Sequence, residues 1–113
     1  MSNMWTYRNT SWYEDRGFVG YDVEASNGSI GKVDESTNDT DSAHIVVDTG
    51  FWIFGKKRLI PAGAVTMVDH NAKVVMVNMT KDEIKSAPDY DETTWKDDSS
   101  RNEYDEYYGR WSW

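Results

Sequence analysis

His44 and His70 are the only histidines of a 113-residue chain that contains no cysteine, so any proton transfer or metal chemistry near neutral pH has few side chains to draw on. One histidine opens a predicted strand and the other sits in a predicted turn. That is no metal-ligand spacing, and both are read as solvated surface residues. Ser42 lies two positions before His44, but no nucleophile motif surrounds the pair. Asp34, Asp39 and Asp41 fall in one acidic stretch that lacks the glycine and the terminal bidentate glutamate of a calcium-binding EF-hand loop. The neighbouring acids Asp97 and Asp98, and Asp89 and Asp91, have nothing apolar beside them to split their pKa values, so they read as solubility and not as a general acid and base. No glycine-rich phosphate loop is present. The expectation is a chain that is not an enzyme and holds no cofactor or metal.

The aromatic residues are more informative, because they are placed where aromatics are scarce. Phe51-Trp52-Ile53-Phe54 precedes a predicted strand and would be either an exposed hairpin tip or a strand alternating Trp52 and Phe54 against Phe51 and Ile53. Five of the six tryptophans lie towards the ends, at Trp5, Trp12, Trp95, Trp111 and Trp113, whereas disordered tails are poor in aromatics. Tyr104, Tyr107, Tyr108 and Trp111 follow the i, i+3, i+4, i+7 stripe of an amphipathic helix over 101–113, with Ser100 and Glu103 as a capping box and Gly109 arguing for an early end. Such a stripe needs an apolar surface. The chain's own fold, its N-terminal segment, a second copy or a foreign partner could each supply it. The candidate protein-interaction residues are therefore Phe51, Trp52, Phe54, Tyr104, Tyr107, Tyr108, Trp111 and Trp113.

These side chains must be positioned by a β-rich middle. Composition divides the chain into an aromatic and polar extension over 1–16, a strand-forming stretch over 17–90 and an acidic, aromatic extension over 91–113. Within the middle, Phe18 to Glu24 alternates by twos, and Asn27-Gly28 has the chemistry of a tight hairpin turn before a return strand over Ser29 to Asp34. Glu35 to Ser42 reads as an exposed loop. Ala43 to Thr49 and Lys57 to Ile60 are further strands, the latter stopped by Pro61. Val65 to Asp69 and Lys73 to Asn78 form a hairpin around His70-Asn71, and Thr80-Lys81-Asp82-Glu83 caps a short helix that must end before Pro88. Asn9, Asn27, Asn38 and Asn78 each begin an Asn-x-Ser/Thr triplet and are read as turn and cap chemistry.

Gly20-Tyr21-Asp22-Val23, Gly28-Ser29-Ile30-Gly31-Lys32-Val33, Ile45-Val46-Val47 and Leu59-Ile60-Pro61, followed by Ala87-Pro88, together resemble the PRC-barrel family over about 18–90. That family includes the barrel of the photosynthetic reaction centre H subunit and of a ribosome maturation factor. The resemblance implies a mainly β fold, a small antiparallel barrel of about six strands with a short helix after it, to which this chain adds an aromatic, helical C-terminal tail. It also implies a non-catalytic protein-interaction or assembly module that docks to itself, as a homodimer, or to a larger partner. No catalytic or ligand residue comes with it. The alternatives are a barrel that binds a small ligand or a cation, or a peripheral accessory of a membrane complex.

Net charge is −8, from 20 acidic against 12 basic side chains, which repels a phosphate backbone, so no direct nucleic-acid partner is expected. Lys56-Lys57-Arg58 reads as a solvated strand edge. With no apolar run of bilayer length, no membrane span is expected and a cytoplasmic location is the default.

Overall fold

A computed structural model describes residues 4–13, 17–50 and 57–111. Six strands form one sheet: β1 (Asp22–Ala25), β2 (Gly28–Thr37), β3 (His44–Asp48), β4 (Lys57–Pro61), β5 (Val65–Asp69) and β6 (Val74–Val77). Two helices follow, α1 (Lys81–Lys85) and α2 (Asp98–Tyr108).

The strand order is β4-β3-β2-β1-β6-β5. Every neighbouring pair is antiparallel except β1 and β6, which run parallel with Val23 opposite Val75. The expected all-antiparallel barrel is thus corrected to a mixed sheet, and no ladder joins β4 to β5 to close it. The two strands at the ends of this order are nonetheless consecutive in sequence, linked only by a 3-10 turn over Ala62–Ala64. A flat sheet of this size would hold its edges about 24 Å apart, whereas such a link spans at most about 14 Å, so the sheet must curl.

Strand ends follow local chemistry. At the β1–β2 hairpin Ala25 pairs with Gly28, so the two-residue tip is Ser26-Asn27 and lies one position earlier than Asn27-Gly28. Asn27 turns outward from the hairpin and its Oδ1 accepts from Lys81 N, which ties the tip to the start of α1. Gly31 meets a stricter demand: its φ is +144°, and a Cβ there would lie 2.0 Å from the Asp48 carbonyl oxygen on β3. Only glycine allows that approach. β2 then runs on to Thr37, so Glu35–Thr37 is strand and not loop, with Ser36 opposite Ile45 and Thr37 opposite His44. The first strand is shorter than expected, because Phe18 and Tyr21 close a turn through the Tyr21 N to Phe18 O bond.

α1 begins as its sequence specifies. Thr80 Oγ1 accepts from Glu83 N and Glu83 Oε1 accepts from Thr80 N, a complete capping box. α2 does not use the Ser100 and Glu103 match. Its cap is Asp97, with no side-chain cap bond, and it ends at Gly109.

One core unites the three stretches. Phe18, Ile30, Ile45, Leu59, Ile60 and Ile84 are fully enclosed, joined by Met4 and Tyr7 from the N-terminal segment and by Trp95, Tyr104 and Tyr108 from the C-terminal one. β1 shows the alternation of a strand with one covered face. In β3 the run from His44 to Val47 is buried on both faces, the pattern of a strand covered on each side.

Candidate functional site

The C-terminal stripe lies against its own chain. Tyr104 and Tyr108 stack at 6.3 Å and are buried. Each tyrosine hydroxyl donates to a main-chain carbonyl: Tyr104 to Asp89 at 2.9 Å, Tyr107 to Glu83 at 2.6 Å and Tyr108 to Leu59 at 2.6 Å. α2 is therefore bolted to α1, to the segment after it, and to β4 at the sheet edge. Burial raises the pKa of Tyr104 and Tyr108 well above the usual phenol range, so these hydroxyls keep their protons. Tyr107 and Trp111, 5.3 Å apart, stay only half covered at the far end of the helix. Beside Tyr107 an open groove of about 300 Å³ is bordered by Pro88, Glu103 and Arg110. Of the remaining candidate residues, Phe51, Trp52, Phe54 and Trp113 lie outside the described residues.

The N-terminal segment completes the same seam. Trp5 Nε1 donates to Asp105 Oδ1 at 2.9 Å, and the Arg101 guanidinium lies 4.1 Å from the Trp5 ring centre, a cation–π arrangement. Main-chain bonds from Ala43 N to Trp5 O and from Gly63 N to Met4 O stitch the segment onto the sheet.

The basic run behaves differently from a solvated edge. Arg58 is buried, donating from Nε to Ile84 O at 3.2 Å, from Nη2 to Lys85 O at 3.0 Å and from Nη1 to Asp89 Oδ1 at 2.7 Å. It closes the C-terminal end of α1, where carbonyls lack helical partners. Lys57 does lie at the surface, paired with Asp34 at 2.7 Å.

Neither histidine is a solvated surface residue. His70 Nε2 lies 2.7 Å from the Trp12 carbonyl, which can only accept, so that nitrogen donates and the Tyr21 hydroxyl donates into Nδ1 at 2.6 Å. His44 is 5% exposed. Its Nδ1 donates to Ser42 O at 2.6 Å, and Trp95 meets the ring edge-on at 4.6 Å. Burial lowers its pKa, reinforced by Arg101 and Lys96 and opposed by the Ser42 carbonyl and Asp39, so the ring is held neutral. Ser42 Oγ accepts from Arg101 at 3.1 Å, and the histidine contacts the serine carbonyl, not its hydroxyl, so the two make no nucleophile and base pair.

Around His44 the end of β2, the start of β3 and the segment from Tyr90 to Lys96 enclose a cleft of about 180 Å³. Glu35 and Asp39 border it, and the Tyr90 hydroxyl donates to Glu35 Oε2 at 3.3 Å. Burial, helped by the Glu35 charge, pushes the Tyr90 pKa up to about 12. Sequence reasoning missed this cleft, since Trp95 and His44 are far apart in the chain and nothing local joins them. Asp34 takes no part in it, being paired with Lys57. Among the described residues no group of three or more histidines, aspartates or glutamates is placed to hold a metal ion.

Among the described residues, large apolar side chains left in solvent are few: Val19, Met67 and Met76 are 59%, 51% and 39% exposed. The two methionines face one another across β5 and β6, and β5 is an edge strand. Among the described residues no helix is long and apolar enough to cross a membrane. No family model, curated protein or solved structure matches the chain.

Proposed function

We propose that the chain is a non-catalytic interaction module of PRC-barrel type, which docks to itself or to a larger partner through the aromatic surface at the end of α2. The observation that carries this is the division of the tyrosine stripe. Tyr104 and Tyr108 are used up inside the molecule, whereas Tyr107 remains half exposed beside an open groove, with the half-exposed Trp111 packed against its ring. Half-exposed aromatics anchored by a hydrogen bond on one side are the type of residue that dominates interface energetics. The curl of the sheet, with β4 and β5 joined by a three-residue turn, supports the barrel assignment. The open β5 edge with Met67 and Met76 offers a second apolar surface.

Sedimentation velocity over a wide concentration range, run beside co-purification from the native host with quantitative mass spectrometry, tests the proposal. The expected result is a homodimer or a stoichiometric companion that disappears in a Tyr107→Ser, Trp111→Ser variant with an unchanged circular dichroism spectrum. A chain that stays monomeric and brings down no stoichiometric companion would overturn it.

A further inference from the structure

We propose that the cleft around His44 binds a side-chain-sized organic cation, an ammonium or guanidinium group, independently of the docking surface on α2. The cleft is rich in hydrogen-bond acceptors. Because Nδ1 of His44 gives its proton to the Ser42 carbonyl, the neutral ring presents Nε2 as a bare lone pair. Among the described residues that nitrogen has no hydrogen-bond partner, although the residue is 5% exposed. It is not sealed off either: among the described residues, Arg101 Nε is the enclosed side-chain nitrogen or oxygen without a hydrogen bond. A ring that lines the cleft and is neither bonded nor sealed at Nε2 opens that nitrogen to the cleft.

The surrounding groups fit a donor with positive charge. Glu35 and Asp39 supply carboxylates on the β2 side, and the Tyr90 hydroxyl, which stays protonated, holds Glu35 in place. Trp95 supplies an aromatic wall, and cations are drawn to such faces. The protein already places a cation there: Lys96 Nζ lies 5.4 Å from the Trp95 ring centre. Lys96 is exposed and so can swing away. It acts as an internal stand-in that a tighter ligand displaces. A cleft of about 180 Å³ accommodates the end of a lysine or arginine side chain or a small free amine.

The test uses the full chain, isotope-labelled for nuclear magnetic resonance, titrated with agmatine and separately with a blocked Gly-Arg-Gly tripeptide, and with acetate as the anionic control. The expected result is a saturable shift of the Trp95 indole and His44 ring-nitrogen signals with agmatine and none with acetate. Glu35→Gln should weaken binding by roughly 1.5- to fivefold, the range of one exposed charge pair. Lys96→Ala should tighten it, an effect opposite in sign to that of lost packing. Both side chains are exposed, so these variants are expected to fold. If the tripeptide binds more tightly than agmatine, the natural ligand is an arginine of another protein; if only agmatine binds, it is a free amine. Absence of a saturable shift at those two residues would overturn the proposal. Shifts indifferent to both substitutions would do the same, since they would report general attraction to an acidic surface.

Discussion

Arg58 holds α1 to the sheet, and its burial makes its role measurable. Its side chain is 5% exposed while that of its partner Asp89 is 61% exposed, so the ion pair itself is largely screened and contributes little. The larger share comes from the two α1 carbonyls: Lys85 O would otherwise end the helix without a partner, and Ile84 O, which also accepts from Ala87 N, would lose one of its donors. Arg58→Met should therefore destabilise the fold by about 1–3 kcal/mol in urea unfolding, since it strands the Lys85 acceptor and removes one donor from Ile84. Arg58→Lys should recover less than half of this, because a compact ammonium lacks the fork that spans two carbonyls. A lysine variant as stable as the wild type would mean that charge alone suffices.

Among the elements, β2 is the one whose geometry depends most on a single missing side chain. Gly31→Ala would force a methyl group onto the Asp48 carbonyl at a φ of +144°. The expected cost is on the order of 3 kcal/mol, combining backbone strain with overpacking, read as a lowered Tm with fraying of the β2–β3 ladder in hydrogen exchange. What was legible in the sequence is local. The Thr80 and Glu83 capping box, the stop before Pro88, the end of α2 at Gly109 and the strands β3 to β6 all follow from neighbours within a few positions. What was illegible depends on distant partners. Arg58 is buried by carbonyls 26 and 27 residues along the chain, and His44 by Trp95. The parallel pairing of β1 with β6 leaves no mark on either strand, and the extension of β2 through Thr37 is set by β3 across the ladder. The Ser100 and Glu103 match is a motif that the backbone, entering α2 earlier from Asp97, passes over.

At the scale of the whole molecule, the buried titratable groups define a pH window. Tyr7, Tyr104 and Tyr108 have their pKa values raised by burial, so the folded chain keeps protons that the unfolded chain releases above the ordinary phenol value of 10.0. Their contribution is complete below that pH and is lost as pH rises past it. His44 acts at the other end: its lowered pKa makes the unfolded chain the better proton acceptor, so its contribution is complete above 6.5 and is lost as pH falls. Thermal unfolding followed across this range should show a plateau that falls away on both sides. On the alkaline side tyrosinate absorbance should rise in step with loss of the fold; full tyrosine titration in a chain that remains folded would contradict the assignment. The bond from Trp5 to Asp105 and that from Tyr108 to Leu59 bridge 100 and 49 residues, and they bear on how the protein is made. A ribosome delivers all six strands before it delivers α2. Until that helix emerges, the nascent chain has empty seats for two large rings, so that interval is when it most needs a chaperone's protection.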